Sequence, residues 1–424
     1  MASSTPALTA PSGRARRAAS VRDRVALLRD RLLASQRFRD WAASMPVFRG
    51  IARRRARALF DLCAGFVYSQ VLAAAVRLDL FELLHREGPI PPDDLARRVG
   101  LPPARLALLA DAAVSLGLLE RRSGGRIGLG PLGASMVGNA GAAAMVRHHA
   151  LLYADLADPV ALLREGGADT RLGRFWTYAG AGVARADDAG SGDVADYTEL
   201  MAASQPLVAG EILDAWDLSR HRALLDLGGG NGTFARAAAA RVPGLSVTVL
   251  DLPPVAEIAG RRFAEAGLGP RVRAVGGDFV CGRLPRGADI VTLVRILHDH
   301  DDAAVRAILA NSRAALPPGG TILVAEPMSG TPGAAPVGDA YFGFYLLAMG
   351  QGRPRTADEL AAFLAEAGFV RPRLLPTRQP LLVRVMIAEV PVRSNSIDMQ
   401  DCQDRFTAEG EGQEAAAKRG DHVA

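Results

Sequence analysis

The sequence feature that most constrains the fold is a glycine-rich stretch at residues 223–253, ALLDLGGGNGTFARAAAARVPGLSVTVLDLP. An apolar run leads into three glycines, a helix-compatible segment follows, and a second apolar run ends on Asp251. This order predicts a strand, a glycine turn, a helix and a second strand, the form of a nucleotide-binding βαβ unit. Glycine suits the turn because, without a Cβ atom, the backbone can bend sharply and approach a ligand closely.

Strand-like and helix-like segments go on alternating to about residue 390. Apolar runs of strand length are separated by helix-compatible segments, and two further strand-like runs close the region. Such alternation predicts an α/β domain at residues 216–390, with a Rossmann-like parallel sheet and helices on both faces. The polar tail at residues 391–424 is expected to be disordered.

Length and composition indicate a globular protein of two or three domains. The chain has 424 residues, of which 49% are hydrophobic and 22% are charged, enough to build a sizeable core. No apolar run reaches the roughly 18–20 residues that span a bilayer, and we recognise no secretory signal. The three cysteines, Cys63, Cys281 and Cys402, lack metal-ligand spacing, so we expect a reduced cytoplasmic compartment.

Positive charge is concentrated at the start of the chain. Residues 1–60 contain fourteen arginines and three aspartates, a net charge of +11, so the remainder carries −6 of the total of +5. We predict a basic arm at residues 1–57, disordered to residue 20 and then helical, with Leu28 and Trp41 available for an apolar face. Packing on its own domain or on a partner subunit is the simpler interpretation. Peripheral attachment to an anionic membrane is the alternative, and nucleic acid is the least favoured.

Residues 58–137 have the pattern of a winged-helix domain: three helical segments, then a short hairpin turning at Ser123–Gly125. A DNA-binding function was therefore considered. The candidate recognition helix, PPARLALLADAAVSLGLL, carries one arginine among alanines and leucines, whereas base and phosphate contacts need Arg, Lys, Asn or Gln. The segment is better suited to dimerisation, and we expect no nucleic acid partner.

Residues 138–215 are predicted to form a helical connector that serves as one wall of a substrate pocket. The adjacent His148 and His149 would point about 100° apart on a helix, so one of them can face substrate while a shared metal site is disfavoured. No metal is expected elsewhere in the chain.

The glycine turn favours one class of nucleotide. Asp226 stands two residues before the first glycine of the series Gly228, Gly230 and Gly232. A carboxylate there would repel a pyrophosphate but attract the ammonium group of an amino acid, and S-adenosylmethionine combines such an ammonium with a ribose and an adenine.

Acidic residues at the next two strand ends complete a cofactor site. Asp251 is placed to bind the ribose diol, and Asp278 in VGGDF is placed to bind the adenine amino group. Phe279 can lie against the adenine ring. Each aspartate alone could instead be a capping carboxylate.

A candidate general base follows in RILHDHDD, residues 295–302. His298 lies at the end of a predicted strand, where the ligand crevice of an open sheet opens, and its ordinary pKa of about 6.5 suits proton transfer near neutrality. Glu326, at the end of the following strand, can hydrogen-bond the imidazole and fix its tautomer. The neighbouring acids resemble a metal cluster, but they more simply cap the helix that starts near Ala303.

The motifs LLDLGGGNG, VLDLP, GGDF, LHDHDD and LPPGGTILVAEP resemble, in this order, those of the plant-type small-molecule O-methyltransferases. The resemblance covers residues 58–390. It implies a winged-helix dimerisation domain, a homodimer, S-adenosylmethionine as methyl donor, His298 as catalytic base and Glu326 as the acid that orients it. Two positions depart from the family: His300 replaces an aromatic residue near the cofactor, and Pro354 replaces a second histidine-orienting glutamate.

Within the family, the chain resembles most the bacterial branch that methylates acyclic carotenoids of the hydroxyneurosporene or demethylspheroidene type. The stretches that carry this resemblance are ARRRARALFDLCAGFVYSQVL, HHALLYADLADPVALLR and DAYFGFYLLAMGQGRPRT. The apolar segment DAYFGFYLLAM, residues 339–349, stands where the family builds its substrate wall, and a long polyene would need such a wall. An ordinary buried helix would have the same apolar sequence pattern. A phenol, quinone or polyketide hydroxyl remains an alternative acceptor. A non-catalytic regulator that senses S-adenosylmethionine is a further alternative.

Overall fold

The computed structural model describes residues 21–167, 169–175 and 205–392. Residues 1–20, most of the polar tail and the linker GAGVARADDAGSGD, each the subject of a sequence prediction, lie outside these ranges. The chain divides into two compact units, Met1–Leu78 with Pro89–Gly130 and Asp79–Gly88 with Pro131–Ala424.

The first unit is helical apart from one hairpin. Its elements are α1 (Val21–Ala34), α2 (Gln36–Ser44), α3 (Pro46–Arg77), α5 (Pro92–Arg98), α6 (Pro103–Ser115), β1 (Leu119–Arg121) and β2 (Ile127–Leu129), while α4 (Leu80–Glu87) belongs to the second unit. β1 pairs antiparallel with β2 around the predicted turn, and Ile90 adds a bridge to Ile127. The winged-helix pattern read from the sequence is therefore present, with fully buried leucines and isoleucines at its centre.

Helix α3 is long and apolar enough, by length and composition alone, to cross a membrane. We expected no apolar run long enough to span a bilayer, and Asp61 does interrupt the apolar residues of this helix. Its C-terminal turns bury Ala73, Ala75 and Val76, but only 17% of the apolar window is buried, so α3 is not a core helix.

The second unit is built on a seven-stranded sheet. Its strands are β3 (Ala223–Leu227), β4 (Ser246–Asp251), β5 (Val272–Gly276), β6 (Ile290–Val294), β7 (Thr321–Glu326), β8 (Val370–Leu375) and β9 (Arg384–Glu389). Its helices, besides α4 and the helical residues 205–215, are α7 (Pro131–Ala134), α8 (Ala140–Asp155), α9 (Pro159–Glu165), α10 (Thr233–Arg241), α11 (Pro253–Glu265), α12 (Asp302–Ala315), α13 (Phe342–Met349) and α14 (Ala357–Glu366).

The strand order is β5-β4-β3-β6-β7-β9-β8. The first five strands are parallel, and β6 and β7, which read IVTLV and TILVAE, are buried at every position, as strands covered on both faces require. One strand departs from the predicted parallel sheet: β9 runs antiparallel to its neighbours β7 and β8, so β8 has the same direction as the first five strands. Eight residues join β8 to β9, too few for the crossover that a parallel pair needs.

Two apolar clusters flank the sheet. One packs α10, α11 and residues 205–215 on one face, and the other packs α12 and α14 on the opposite face. A third cluster joins α8, α9 and α13. Because the strand order reverses between the neighbouring strands β3 and β6, a crevice forms at their C-terminal ends, and the loops after β3, β4, β6 and β7 define the edge at which a ligand would bind.

Candidate active site

The glycine loop follows β3 at this edge. Gly228 and Gly230 both have positive φ angles, +67° and +58°, which side chains other than glycine adopt poorly. A Cβ atom at Gly228 would collide with the side chain of Ile296, whereas open space lies beside Gly230. The loop is therefore packed against the protein at Gly228 and open at Gly230, where a ligand could approach the backbone closely.

Asp226 lies buried beneath this loop. Its Oδ1 accepts a hydrogen bond from the Thr292 hydroxyl at 2.7 Å, and its Oδ2 has no hydrogen-bond partner among the described residues. Burial, opposed by the Thr292 bond and assisted by the charge of Asp251, raises the pKa of Asp226 to about 7. A buried carboxylate oxygen without a partner is the kind of group that a cationic ligand would stabilise.

The other predicted cofactor residues occupy the adjacent loops. Asp251 accepts backbone N–H bonds from Gly230 at 2.8 Å and from Leu252 at 2.7 Å, which ties the end of β4 to the glycine loop. Burial raises the pKa of the Asp251 carboxyl. Asp278 is exposed, and its Oδ1 caps a turn by accepting from Val280 and Cys281. One oxygen of Asp278 therefore acts as a turn cap, the alternative role considered for this carboxylate.

Phe279 lies beside the glycine loop and meets His300. Their rings are 5.8 Å apart in an edge-on arrangement, so His300, where the family has an aromatic residue, still contributes a ring contact. Burial lowers the pKa of His300, which favours the neutral imidazole.

The predicted catalytic pair is in direct contact. His298 and Glu326 are both buried, and the imidazole Nδ1 hydrogen-bonds Glu326 Oε2. The other oxygen, Oε1, accepts from the backbone N–H groups of Ile296 at 3.0 Å and Leu297 at 2.7 Å. One carboxylate at the end of β7 therefore fixes both the ring and the turn that carries it.

A second carboxylate, which the sequence analysis treated as part of a helix cap, lies at the other side of the ring. Asp299 Oδ1 is 3.1 Å from His298 Nε2. Burial alone would lower the pKa of His298, but the charges of Asp299 and Glu326 outweigh it and raise that pKa to about 10. In this arrangement the imidazolium is favoured at neutral pH.

Arg355 braces the histidine turn, a role that sequence reasoning missed. This buried guanidinium donates to the carbonyl of Leu297 at 2.6 Å, to that of His300 at 2.8 Å and to Asp302 at 2.7 Å. Arg353 donates its backbone N–H to the His298 carbonyl at 2.9 Å and also pairs with Asp302. The segment GRPRT thus supports the turn, although Pro354 itself carries no acid.

Aromatic residues close the site on the side of α13. The Phe342 ring is 5.9 Å from His298 and edge-on to it, and a π-helical turn at Pro336–Tyr341 precedes it. The predicted wall is thus a buried helix beside the histidine, a combination of the two interpretations of residues 339–349. Within it, Tyr341 and Tyr345 also pack ring to ring.

His148 and His149, on α8, each bind one tyrosine of this wall. His148 Nε2 is 2.8 Å from the Tyr345 hydroxyl, and His149 Nε2 is 2.9 Å from the Tyr341 hydroxyl. Burial lowers the pKa of both histidines, that of His148 to about 4. Both imidazoles are therefore neutral, and each holds one tyrosine of the wall through a hydrogen bond.

Taken together, the loops fit a nucleoside that carries an amino acid. The open face of Gly230, the partnerless Asp226 oxygen and the Asp251 carboxylate offer a backbone cradle and two anionic groups of the kind that S-adenosylmethionine would engage. In the described part of the chain, no group of three His, Cys, Asp or Glu side chains is arranged to hold a metal ion.

Comparison with known proteins agrees with this architecture. An O-methyltransferase domain family matches residues 153–370, and an O-methyltransferase dimerisation domain matches residues 60–139. The chain belongs to the O-methyltransferase family.

Among its relatives, demethylspheroidene O-methyltransferase of Cereibacter sphaeroides is 43% identical over 364 residues, 85% of this chain and 94% of that protein. Acetylserotonin O-methyltransferase of Mus musculus is 38% identical over 342 residues, 76% of this chain and 86% of that protein. The crystal structure of human N-acetylserotonin methyltransferase in complex with SAM has a TM-score of 0.66 at 26% identity, covering 80% of this chain and 98% of that one.

Proposed function

We propose that this chain is an S-adenosylmethionine-dependent O-methyltransferase that methylates the tertiary hydroxyl of an acyclic carotenoid of the demethylspheroidene or hydroxyneurosporene type. The observation that carries the proposal is the buried His298–Glu326 pair beside an open glycine loop, in a chain of the O-methyltransferase family. The 43% identity to a demethylspheroidene O-methyltransferase supports the choice of acceptor.

In this proposal the cofactor residues are those at the ends of β3, β4 and β5. Gly228 and Gly230 admit the ligand to the backbone, Asp251 accepts from the ribose diol, and Asp278 accepts from the adenine amino group. Phe279 contacts the adenine ring, and Asp226 balances the charge of the ammonium. S-adenosylmethionine supplies an electrophilic methyl group on a sulfonium ion.

His298 then acts as the general base. A base must be neutral, so Nε2 has to give up its proton to solvent and the Asp299 carboxylate has to move away before the acceptor hydroxyl takes its place. Nε2 accepts the hydroxyl proton while Nδ1–H stays on Glu326, which stabilises the imidazolium that forms. A tertiary alcohol is a very weak acid, so the proton leaves as the new C–O bond forms and the methyl–sulfur bond breaks, with the sulfur departing as a neutral thioether.

Asp299 also compensates for the second histidine-orienting glutamate of the family, which is replaced by Pro354 in this chain. With Glu326 on Nδ1 and Asp299 on Nε2, the imidazole of the free protein still has two carboxylate partners. We assign Asp299 the role of holding the ring until the acceptor arrives. Phe342, Tyr341 and Tyr345 exclude water from the reaction, which strengthens the electrostatic interactions inside the site.

The proposal extends to the state of the protein. The dimerisation-domain match supports a homodimer. We place the enzyme in the cytoplasm, peripheral to the membrane in which a carotenoid would be dissolved, and we assign the basic arm at residues 1–57 to that attachment.

The test is incubation of the purified protein with S-adenosylmethionine and a hydroxylated acyclic carotenoid in detergent, beside a panel of phenols, quinones and polyketides. Mass spectrometry of the carotenoid is expected to show the addition of one methyl group. Methylation of the phenolic panel alone would exclude the carotenoid acceptor, and methylation of neither class would exclude the enzyme assignment.

A further inference from the structure

Four of the six valines and leucines of helix α1 lie on one line, and Leu27 and Leu33 lie outside it. Val21, Val25, Leu28 and Leu32 follow a 4-3-4 spacing, which places them within about 60° of one another at 100° per residue. They are 42–74% exposed, and no residue of α1 is buried in the protein. We call these four residues the apolar stripe. An exposed stripe of this kind requires a partner or a surface that covers it.

The charges of α1 are arranged symmetrically about the apolar stripe. Arginines lie about 80° to each side of it, and the two acids lie on the opposite pole. On one side they are Arg22 and Arg29, on the other Arg24 and Arg31, and the acids are Asp23 and Asp30. Arg29 forms an ion pair with Asp30 at 2.8 Å, and Asp23 and Arg24 are also engaged in interactions. The Arg29–Asp30 pair is exposed and therefore holds the arginine weakly.

We propose that α1 lies flat on an anionic membrane surface with the apolar stripe in the acyl boundary. The flanking arginines then reach the lipid phosphates with their side chains extended, and the aspartates face water. Positive charge beside an apolar stripe, with acids kept to the far side, matches a negatively charged bilayer in both charge and polarity.

The elements after α1 continue the same surface chemistry. Trp41 packs against Phe38 and Phe48, with ring centroids 5.6 and 5.5 Å away, and both Trp41 and Phe48 are more than 40% exposed. Aromatic rings of this kind favour the lipid headgroup region. Across residues 21–57 the sequence has eleven arginines and three aspartates, a net charge of +8.

A stripe-to-stripe contact with a second copy of this chain is a poorer way to cover the apolar stripe. If two stripes faced each other, arginines of one helix would meet arginines of the other, because both acids lie on the far pole. Like charges would then be brought together over the whole length of the contact. The membrane offers phosphates at those positions instead.

The experiment measures the full chain on vesicles without any substrate. Wild-type protein is expected to co-sediment with vesicles containing 30% phosphatidylglycerol, weakly with pure phosphatidylcholine, and less as salt rises. The double variant Leu28→Ser, Leu32→Ser is expected to lower the partition coefficient at least ~10-fold. The matched control Leu27→Ser, whose position is about 130° from the stripe and 52% exposed, is expected to change it by less than ~2-fold.

Two further outcomes decide the proposal. Equal sedimentation of wild type and double variant, or binding indifferent to lipid charge, would overturn it. A change of oligomeric state in the double variant, measured by sedimentation velocity without vesicles, would assign the stripe to a second copy instead. Membrane binding by α1 rests on the proposed function in one respect, that it would bring the enzyme to an acceptor dissolved in the membrane. Methyl transfer to a detergent-dispersed carotenoid therefore tests that function separately, and the double variant is expected to retain it.

Discussion

Replacement of Asp299 by asparagine tests the electrostatics at the base most directly. The free protein holds His298 between two carboxylates with a pKa of about 10, and Asp299 is the first of the charges that raise it. Asparagine keeps the size and removes the charge. Since a charge at hydrogen-bond distance shifts a pKa by about 1–3 units, we expect the pKa of His298 to fall to between ~7 and ~9.

The consequence for catalysis follows from the fraction of neutral imidazole. At pH 7.5 that fraction is about 0.3% for a pKa of 10, and it rises to ~3% for a pKa of 9 and ~75% for a pKa of 7. The pH dependence of kcat/KM reports the ionisation of the free enzyme. We therefore expect kcat/KM to rise with pH at a midpoint that is about 1–3 pH units lower in Asp299→Asn than in wild type. This shift does not depend on the maximal value of kcat/KM that the variant reaches.

The assay is initial methyl transfer to the detergent-dispersed acceptor at limiting acceptor concentration, between pH 6 and 10.5. Asp301→Asn is the matched control, because Asp301 caps α12 by accepting from the Ala304 N–H at 2.8 Å and asparagine caps equally well. Its profile is expected to match wild type. A midpoint in Asp299→Asn that coincides with this control would refute the electrostatic role of Asp299.

Three further predictions concern individual groups. His298→Ala is expected to lower kcat by about 10²–10⁴-fold while isothermal titration finds S-adenosylmethionine binding unchanged; loss of binding in a folded variant would contradict the base assignment. Because its pKa is raised to about 7, ionisation of Asp226 destabilises the folded protein. Asp226→Asn removes this ionisation, so the free energy of unfolding of the variant should exceed that of wild type by an amount that grows between pH 4 and 7, to at most ~4 kcal/mol, in ligand-free denaturation curves. A gain that is independent of pH would refute this reasoning. Arg355→Lys cannot reach three separated acceptors and should cost about 3 kcal/mol in the same assay; wild-type stability would show that the brace is unimportant.

The sequence predicted the parts of the fold that local patterns determine. The strand, glycine turn and helix at residues 223–241, the wing at Ser123–Gly125 and the buried central strands follow from apolar periodicity and from glycine, which act within a few residues. The contact between His298 and Glu326 was also predictable, because both follow adjacent parallel strands whose ends meet at one edge of the sheet.

Other parts of the site depend on contacts that the sequence does not display. Asp299 looked like part of a cap in an acidic run, and its proximity to Nε2 arises only from the 3-10 turn that Glu326 holds. Arg355 is one of many arginines, so nothing local marks it as buried. Arg295 adopts a positive φ of 58° and donates its N–H to the Ala325 carbonyl on β7, a pairing with a strand thirty residues further along the chain that no local pattern displays.

The interleaving of the two units has a consequence for synthesis on the ribosome. Helix α4, at Leu80–Glu87, is emitted before the first unit is finished, yet it belongs to the second, where Glu82 accepts the N–H of Gly138 at 2.7 Å. This contact can form only after some fifty more residues have been translated. Neither unit can be produced as one uninterrupted fragment. A nascent chain that ends before residue 138 therefore lacks the bond between Glu82 and Gly138, whereas a longer one can form it.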